Sequence, residues 1–119
     1  MPTTTLYRPT GDRELALVAE SGYRRWPQRL PDQPIFYPVC NQQYAEMIAK
    51  QWNTKGGKIG YVTRFEVDAD FLGKYETHIV GSSICEEYWI PAEDLDAFND
   101  AIVGLIEVVG QFQETDTAG

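Results

Sequence analysis

Residues 33–53, QPIFYPVCNQQYAEMIAKQWN, constrain the fold more than any other stretch of the chain. Ile35-Phe36-Tyr37-Pro38-Val39 is short, apolar and punctuated by prolines, the pattern of a buried strand that runs into a turn. Asn41 stands where a helix N-cap belongs. Tyr44, Ala45, Ile48, Ala49 and Trp52 then recur at helical spacing, which predicts a helix over 41–52. A strand that turns directly into such a helix brings strand-end side chains and free helix-start N–H groups to one crevice. An ordinary core strand meeting a packing helix has the same pattern, so other parts of the chain must decide between a site and plain packing.

Before this stretch, Leu6-Tyr7-Arg8 predicts a first strand stopped by Pro9. Thr10 or Asp12 can cap a helix with Leu15, Val18 and Ala19 on its buried stripe, and Gly22 ends it. Residues 23–34, YRRWPQRLPDQP, form a long surface loop pinned by Tyr23 and Trp26. After it, residues 58–68 alternate clearly, with Ile59, Tyr61, Thr63, Phe65 and Val67 on one side. A helical turn is expected at 68–72, a loop with some strand over 73–84, a strand at 87–90 ended by Pro91, a helix at 92–99 and a closing strand at 103–112. Helices come early and strands late. This order predicts a single α+β domain over 1–119, with an ordered core over about 5–112 and loose polar ends at 1–4 and 113–119.

The formal net charge of −8 argues against a broad nucleic-acid-binding face, because neutralising phosphates needs clustered Lys and Arg. A small anionic ligand needs only one or two placed basic groups. Five arginines, at 8, 13, 24, 25 and 29, lie in the first quarter, and 86–100 is strongly acidic; a cleft between the two regions would be dipolar. No apolar run is long enough to span a bilayer and the N-terminus has no signal pattern, so a cytoplasmic location is expected. Cys40, Cys85 and the single histidine fit no metal spacing, and both cysteines are expected to be reduced. Neither a phosphate-binding glycine loop nor a dinucleotide fingerprint follows any strand.

Several positions at strand ends can carry chemistry. Arg8 can clamp a phosphate or ribose, or face water from an edge strand. Glu87, with Glu86 as its competitor, can stabilise an oxocarbenium-like cation from a cleft wall, or sit in solvent. Tyr37 and Tyr44 can stack on a flat heterocycle or fill the core. His78 can serve as an acid or base, though nothing near it in sequence supports that role.

The parts also come in a familiar order. A Leu6-Tyr7-Arg8-Pro9-Thr10 strand precedes a helix ending in Ser21-Gly22; Ile35-Phe36-Tyr37 precedes a helix carrying Tyr44-Ala45; Glu87-Tyr88-Trp89-Ile90 comes late. Over roughly residues 6–112 this resembles the ADP-ribosyltransferase-like fold, in particular small bacterial proteins of the ADP-ribosylation/crystallin J1 kind. The resemblance implies two small, mainly antiparallel sheets flanking a cleft, with two to four short helices. It implies NAD as a substrate, whose nicotinamide–ribose bond is cleaved, and an acceptor that is a protein or a small molecule. By the same resemblance Arg8 anchors the ribose–phosphate portion, Tyr37 and Tyr44 hold the nicotinamide end, Thr10 and Asn41 complete the NAD-binding set, and Glu87 is the catalytic carboxylate. Arg8 matches the arginine branch of that fold and the tyrosines match the histidine–tyrosine branch, and no Ser-Thr-Ser is present. A non-catalytic module that uses the 23–34 loop as a partner surface is the alternative.

Overall fold

The alternation at 59–68 produces the central strand. In the computed structural model, which describes residues 2–81 and 84–113, β3 (Ile59–Asp68) is flanked on both sides by antiparallel partners, β1 (Thr3–Gly11) and β7 (Ile102–Gln113). Two small antiparallel ladders complete the strands: β2 (Ile35–Phe36) with β6 (Ile90–Pro91), and β4 (Thr77–Ile79) with β5 (Glu86–Tyr88). Val39 joins the ladders by bridging Tyr7 of β1 on one side and Glu87 of β5 on the other. The helices are α1 (Asp12–Glu20), α2 (Gln42–Ile48), α3 (Ala69–Leu72) and α4 (Leu95–Asp100). The protein is therefore an α+β fold of small antiparallel sheets, and no helix among the described residues is long and apolar enough to cross a membrane.

Because side chains alternate along β1 and β3, the main sheet has two unlike faces. Leu6, Phe65 and Val67 enter the larger core with Trp26, Phe36, Ile90 and Phe98. On the opposite face, Val62 and Val39 meet Ala45 and Ala49, the small residues that let α2 approach closely. Gly60 is required for that approach. A Cβ there would stand 2.7 Å from the Ala49 carbonyl oxygen and 2.9 Å from the Asn53 Cβ, and a backbone carbonyl cannot swing aside. Gly60→Ala is expected to cost about 1–3 kcal/mol, the usual penalty of overpacking, read as a lowered urea midpoint at unchanged slope.

The expected cap at Asn41 is present: its side chain accepts from the Tyr44 N–H at 2.7 Å. The helix is shorter than 41–52. After Ile48 the chain widens into a π-type turn, Ala49–Asn53, and the extra residue rotates the stripe so that Trp52 faces out, 62 % exposed. At the start of α1, Gly11 occupies the N-cap without a side-chain bond, and Thr10 instead donates to Glu14 at 2.6 Å. The N-terminal residues expected to be loose include Thr3 and Thr4, which pair with Asp68 and Val67. The strand expected at 87–90 is divided at Trp89, with β5 pairing to β4 and β6 to β2. The expected polar tail lies, apart from Gln113, outside the described residues, as do positions 82 and 83 of the 73–84 stretch.

The 23–34 loop does not lie free on the surface. Trp26 is 2 % exposed, its backbone N–H donates to the Asn99 side-chain oxygen at 2.8 Å, and Asn99 Nδ2 donates to the Trp26 carbonyl at 3.0 Å. Tyr23 is held by its backbone, since its carbonyl accepts from Ile106 N at 2.7 Å while its ring stays exposed. Arg25 reaches Asp100 at 2.8 Å, so part of the basic first quarter does meet the acidic segment, in an exposed pair of the kind that contributes little.

Candidate active site

Pro9 opens the site. Tyr7 and Val39 exchange both backbone hydrogen bonds, at 2.9 and 2.8 Å, so the next such pair along an antiparallel ladder would be Pro9 with Tyr37. Pro9 has no N–H to give. On its other side it still pairs with Val62 in register, so β1 continues to Gly11 along β3 while its contact with the 37–39 segment ends. A cleft of about 350 Å³ lies there, lined by Arg8, Pro9, Arg29, Tyr37, Asn53 and Glu87 with Val39 and Ile48.

Three of the residues singled out in the sequence thus meet at one opening, though from different faces. Tyr7, Val39 and Glu87 form one cross-strand row directed toward α2. Arg8, the next residue after Tyr7, is on the other face with Leu6, its guanidinium carbon 4.5 Å from the Phe36 ring centre and 5.5 Å from that of Trp26. Arg8 lines the cleft together with Pro9. Its Nε and Nη2 donate to the two carboxylate oxygens of Glu14 at 2.8 and 2.9 Å, and Nη1 donates to the Tyr37 carbonyl oxygen at 3.4 Å.

Glu87 is 8 % exposed, and both of its oxygens are engaged by neutral donors: the Tyr44 hydroxyl at 2.7 Å and the Trp89 indole N–H at 2.8 Å. Among the described residues no Lys or Arg forms an ion pair with it. A carboxylate fixed in this way keeps its negative charge available to a cation in the cleft. Glu86 has the alternate orientation along β5: it accepts from Thr77 at 2.5 Å and does not line the cleft. Tyr44 is behind the carboxylate rather than on the cleft wall, and burial, followed by its bond to Glu87, raises its pKa well above the usual phenol value. Tyr37 is 41 % exposed, with its ring edge-on to Trp89 at 6.1 Å, so aromatic surface stands beside the carboxylate. His78 stacks on the Trp89 ring at 3.8 Å and pairs across strands with Glu87 without lining the cleft. Asn41 and Thr10 serve the local structure: Asn41 caps α2 and also donates to the Ile84 carbonyl, and Thr10 supports Glu14. The Cys40 thiol is raised to about 11 by burial and by Glu86 and Glu87, which leaves it a poor nucleophile at neutral pH.

Sequence reasoning missed Glu14 and Arg29. Glu14 is the counter-charge of the site, 3.7 Å from Arg29 as well as bonded to Arg8. Burial pushes its carboxyl up, but the charge and hydrogen bonds of Arg8, the Thr10 hydroxyl and Arg29 together hold it below the ordinary value of 4.5. A depressed folded-state pKa adds stability that is present above the unfolded value and is lost as pH falls through the folded one. Wild type should therefore exceed Glu14→Gln in stability at neutral pH. That difference should shrink steadily below about pH 4.5, as measured by urea unfolding at several pH values.

Comparison with protein-family models, with curated proteins and with solved structures yields no match to this chain.

Proposed function

We propose that the cleft binds NAD and transfers its ADP-ribose to an acceptor. The observation that carries this reading is the meeting of Arg8, Tyr37 and Glu87 at one opening of about 350 Å³, within the range of small-ligand sites. The opening is lined by arginines and by a carboxylate that has no cationic partner among the described residues. NAD has the complementary charges, an anionic diphosphate and a cationic nicotinamide ring. On this reading the Nη1 edge of Arg8 faces the phosphate–ribose portion, and Tyr37 flanks the nicotinamide.

When the nicotinamide–ribosyl bond breaks, its electron pair leaves with nicotinamide and positive charge develops on the ribose. Glu87 stabilises that charge and orients the acceptor's nucleophile, which gives up its proton to solvent water as the new bond to C1′ forms. Tyr44 and the Trp89 indole fix the carboxylate so that little reorganisation is needed. The test is nicotinamide release from NAD, followed by chromatography, with water, small nucleophiles and protein as acceptors. Release above the uncatalysed rate supports transfer. Release no faster than background with every acceptor would leave the fold a non-catalytic binding module.

A further inference from the structure

The Arg8–Glu14–Arg29 cluster has a second cavity on its other side, about 380 Å³, and Arg8, Pro9, Arg29 and Asn53 line both. At this junction two buried polar atoms of opposite kind, Arg29 Nε and Asn53 Oδ1, have no hydrogen-bond partner among the described residues. Local charge is unbalanced in the same place. The Glu14 oxygens are taken by Arg8 and Thr10 at 2.6 to 2.9 Å, and Arg29 reaches that carboxylate only at 3.7 Å. The Arg29 side chain is only 11 % exposed and its guanidinium carbon is 5.7 Å from the Phe36 ring centre, so it is a placed cation rather than a roaming surface one. Asn53 is placed as well, at the end of the π-type turn and against Gly60.

We infer that Arg29 and Asn53 form a subsite for the phosphate ester of a polyhydroxylated compound, with Arg29 Nε donating to a phosphate oxygen and Asn53 Oδ1 accepting from a sugar hydroxyl. An anion alone would satisfy the arginine and leave the asparagine oxygen unpaired, whereas a sugar phosphate satisfies both. The subsite deepens the NAD reading and rests on it for the identity of the whole ligand, since a nucleotide spanning the two cavities would place a ribose phosphate at their junction.

The experiment is calorimetric titration of the full chain with ribose 5-phosphate, inorganic phosphate and ribose at constant ionic strength. Ribose 5-phosphate should bind more tightly than either fragment. Arg29→Gln should weaken both phosphate-bearing probes by about tenfold or more, and Asn53→Ala should weaken ribose 5-phosphate while sparing inorganic phosphate. Arg24→Gln, on an exposed arginine, should change nothing. Thermal melts report folding, and Arg29→Lys, which keeps the charge without Nε, serves if Arg29→Gln does not fold; it too should bind more weakly. No binding of ribose 5-phosphate at millimolar concentration would overturn the inference. So would wild-type affinity in the Arg29 variant, or equal weakening by Arg24→Gln. If ribose 5-phosphate binds through Arg29 but nicotinamide is never released, the subsite stands and transfer falls. If nicotinamide is released and Arg29→Gln leaves the KM for NAD unchanged, transfer stands and the subsite falls.

Discussion

Glu87→Gln is expected to slow nicotinamide release by about 100-fold or more while leaving NAD affinity within a few-fold of wild type. The substitution removes the charge and keeps the shape. The glutamine oxygen can still accept from the Trp89 indole, and the Tyr44 hydroxyl, which can accept as well as donate, can turn to receive the amide N–H. The fold should therefore survive, and the loss should fall on kcat rather than KM, as it does when an interaction is made mainly in the transition state. Tyr44→Phe should produce a smaller decrease, because it frees one carboxylate oxygen without removing the charge. Unchanged turnover in Glu87→Gln would take the glutamate out of the mechanism.

The largest stability effect is expected at Phe36. Its side chain is fully buried, touches Trp26 and Phe98 at ring distances of 5.7 and 5.4 Å, and lies beneath the guanidinium groups of both Arg8 and Arg29. Phe36→Ala should lower unfolding free energy by about 3–5 kcal/mol, the usual cost of deleting a buried aromatic ring. That is a large share of the stability typical of a domain this size. Phe36→Leu should recover most of the packing. It should still weaken ligand binding, because a leucine fills space but offers no negative ring face to hold the arginines in place. Urea unfolding of the two variants, with calorimetry on the leucine variant, separates the roles.

Much of this architecture can be read from the residues, and the exceptions have physical causes. The alternation at 59–68 gives the central strand directly, and Asn41 gives the start of α2, because both signals are local. Pro9 does mark a boundary, but of lateral pairing rather than of strand length: its missing N–H ends contact with the 37–39 segment and leaves pairing with Val62 intact. Sequence alone does not say on which side of a strand a proline's gap will fall, and here the side decides where the cleft opens. Glu87 and Glu86 separate only once β5 has its neighbours, since a one-residue slip would exchange them. Arg29 was hidden in a loop that composition marks as surface. Inside the structure it meets Glu14 at 3.7 Å and the Phe36 ring, in a loop anchored by reciprocal bonds between Trp26 and Asn99, 73 residues apart in sequence. Trp52 was misplaced by the widened turn after Ile48, which periodicity at 3.6 residues cannot foresee.

The most direct test of the central claim is saturation-transfer NMR with NAD on the wild-type chain and on Arg8→Ala, each checked for folding by thermal melt. The expected result is saturation of the nicotinamide ring protons in wild type, from the aromatic surface of Tyr37 and Trp89 beside Glu87, and a marked decrease in Arg8→Ala. No transfer at millimolar NAD, or a signal unchanged by Arg8→Ala, would contradict the account.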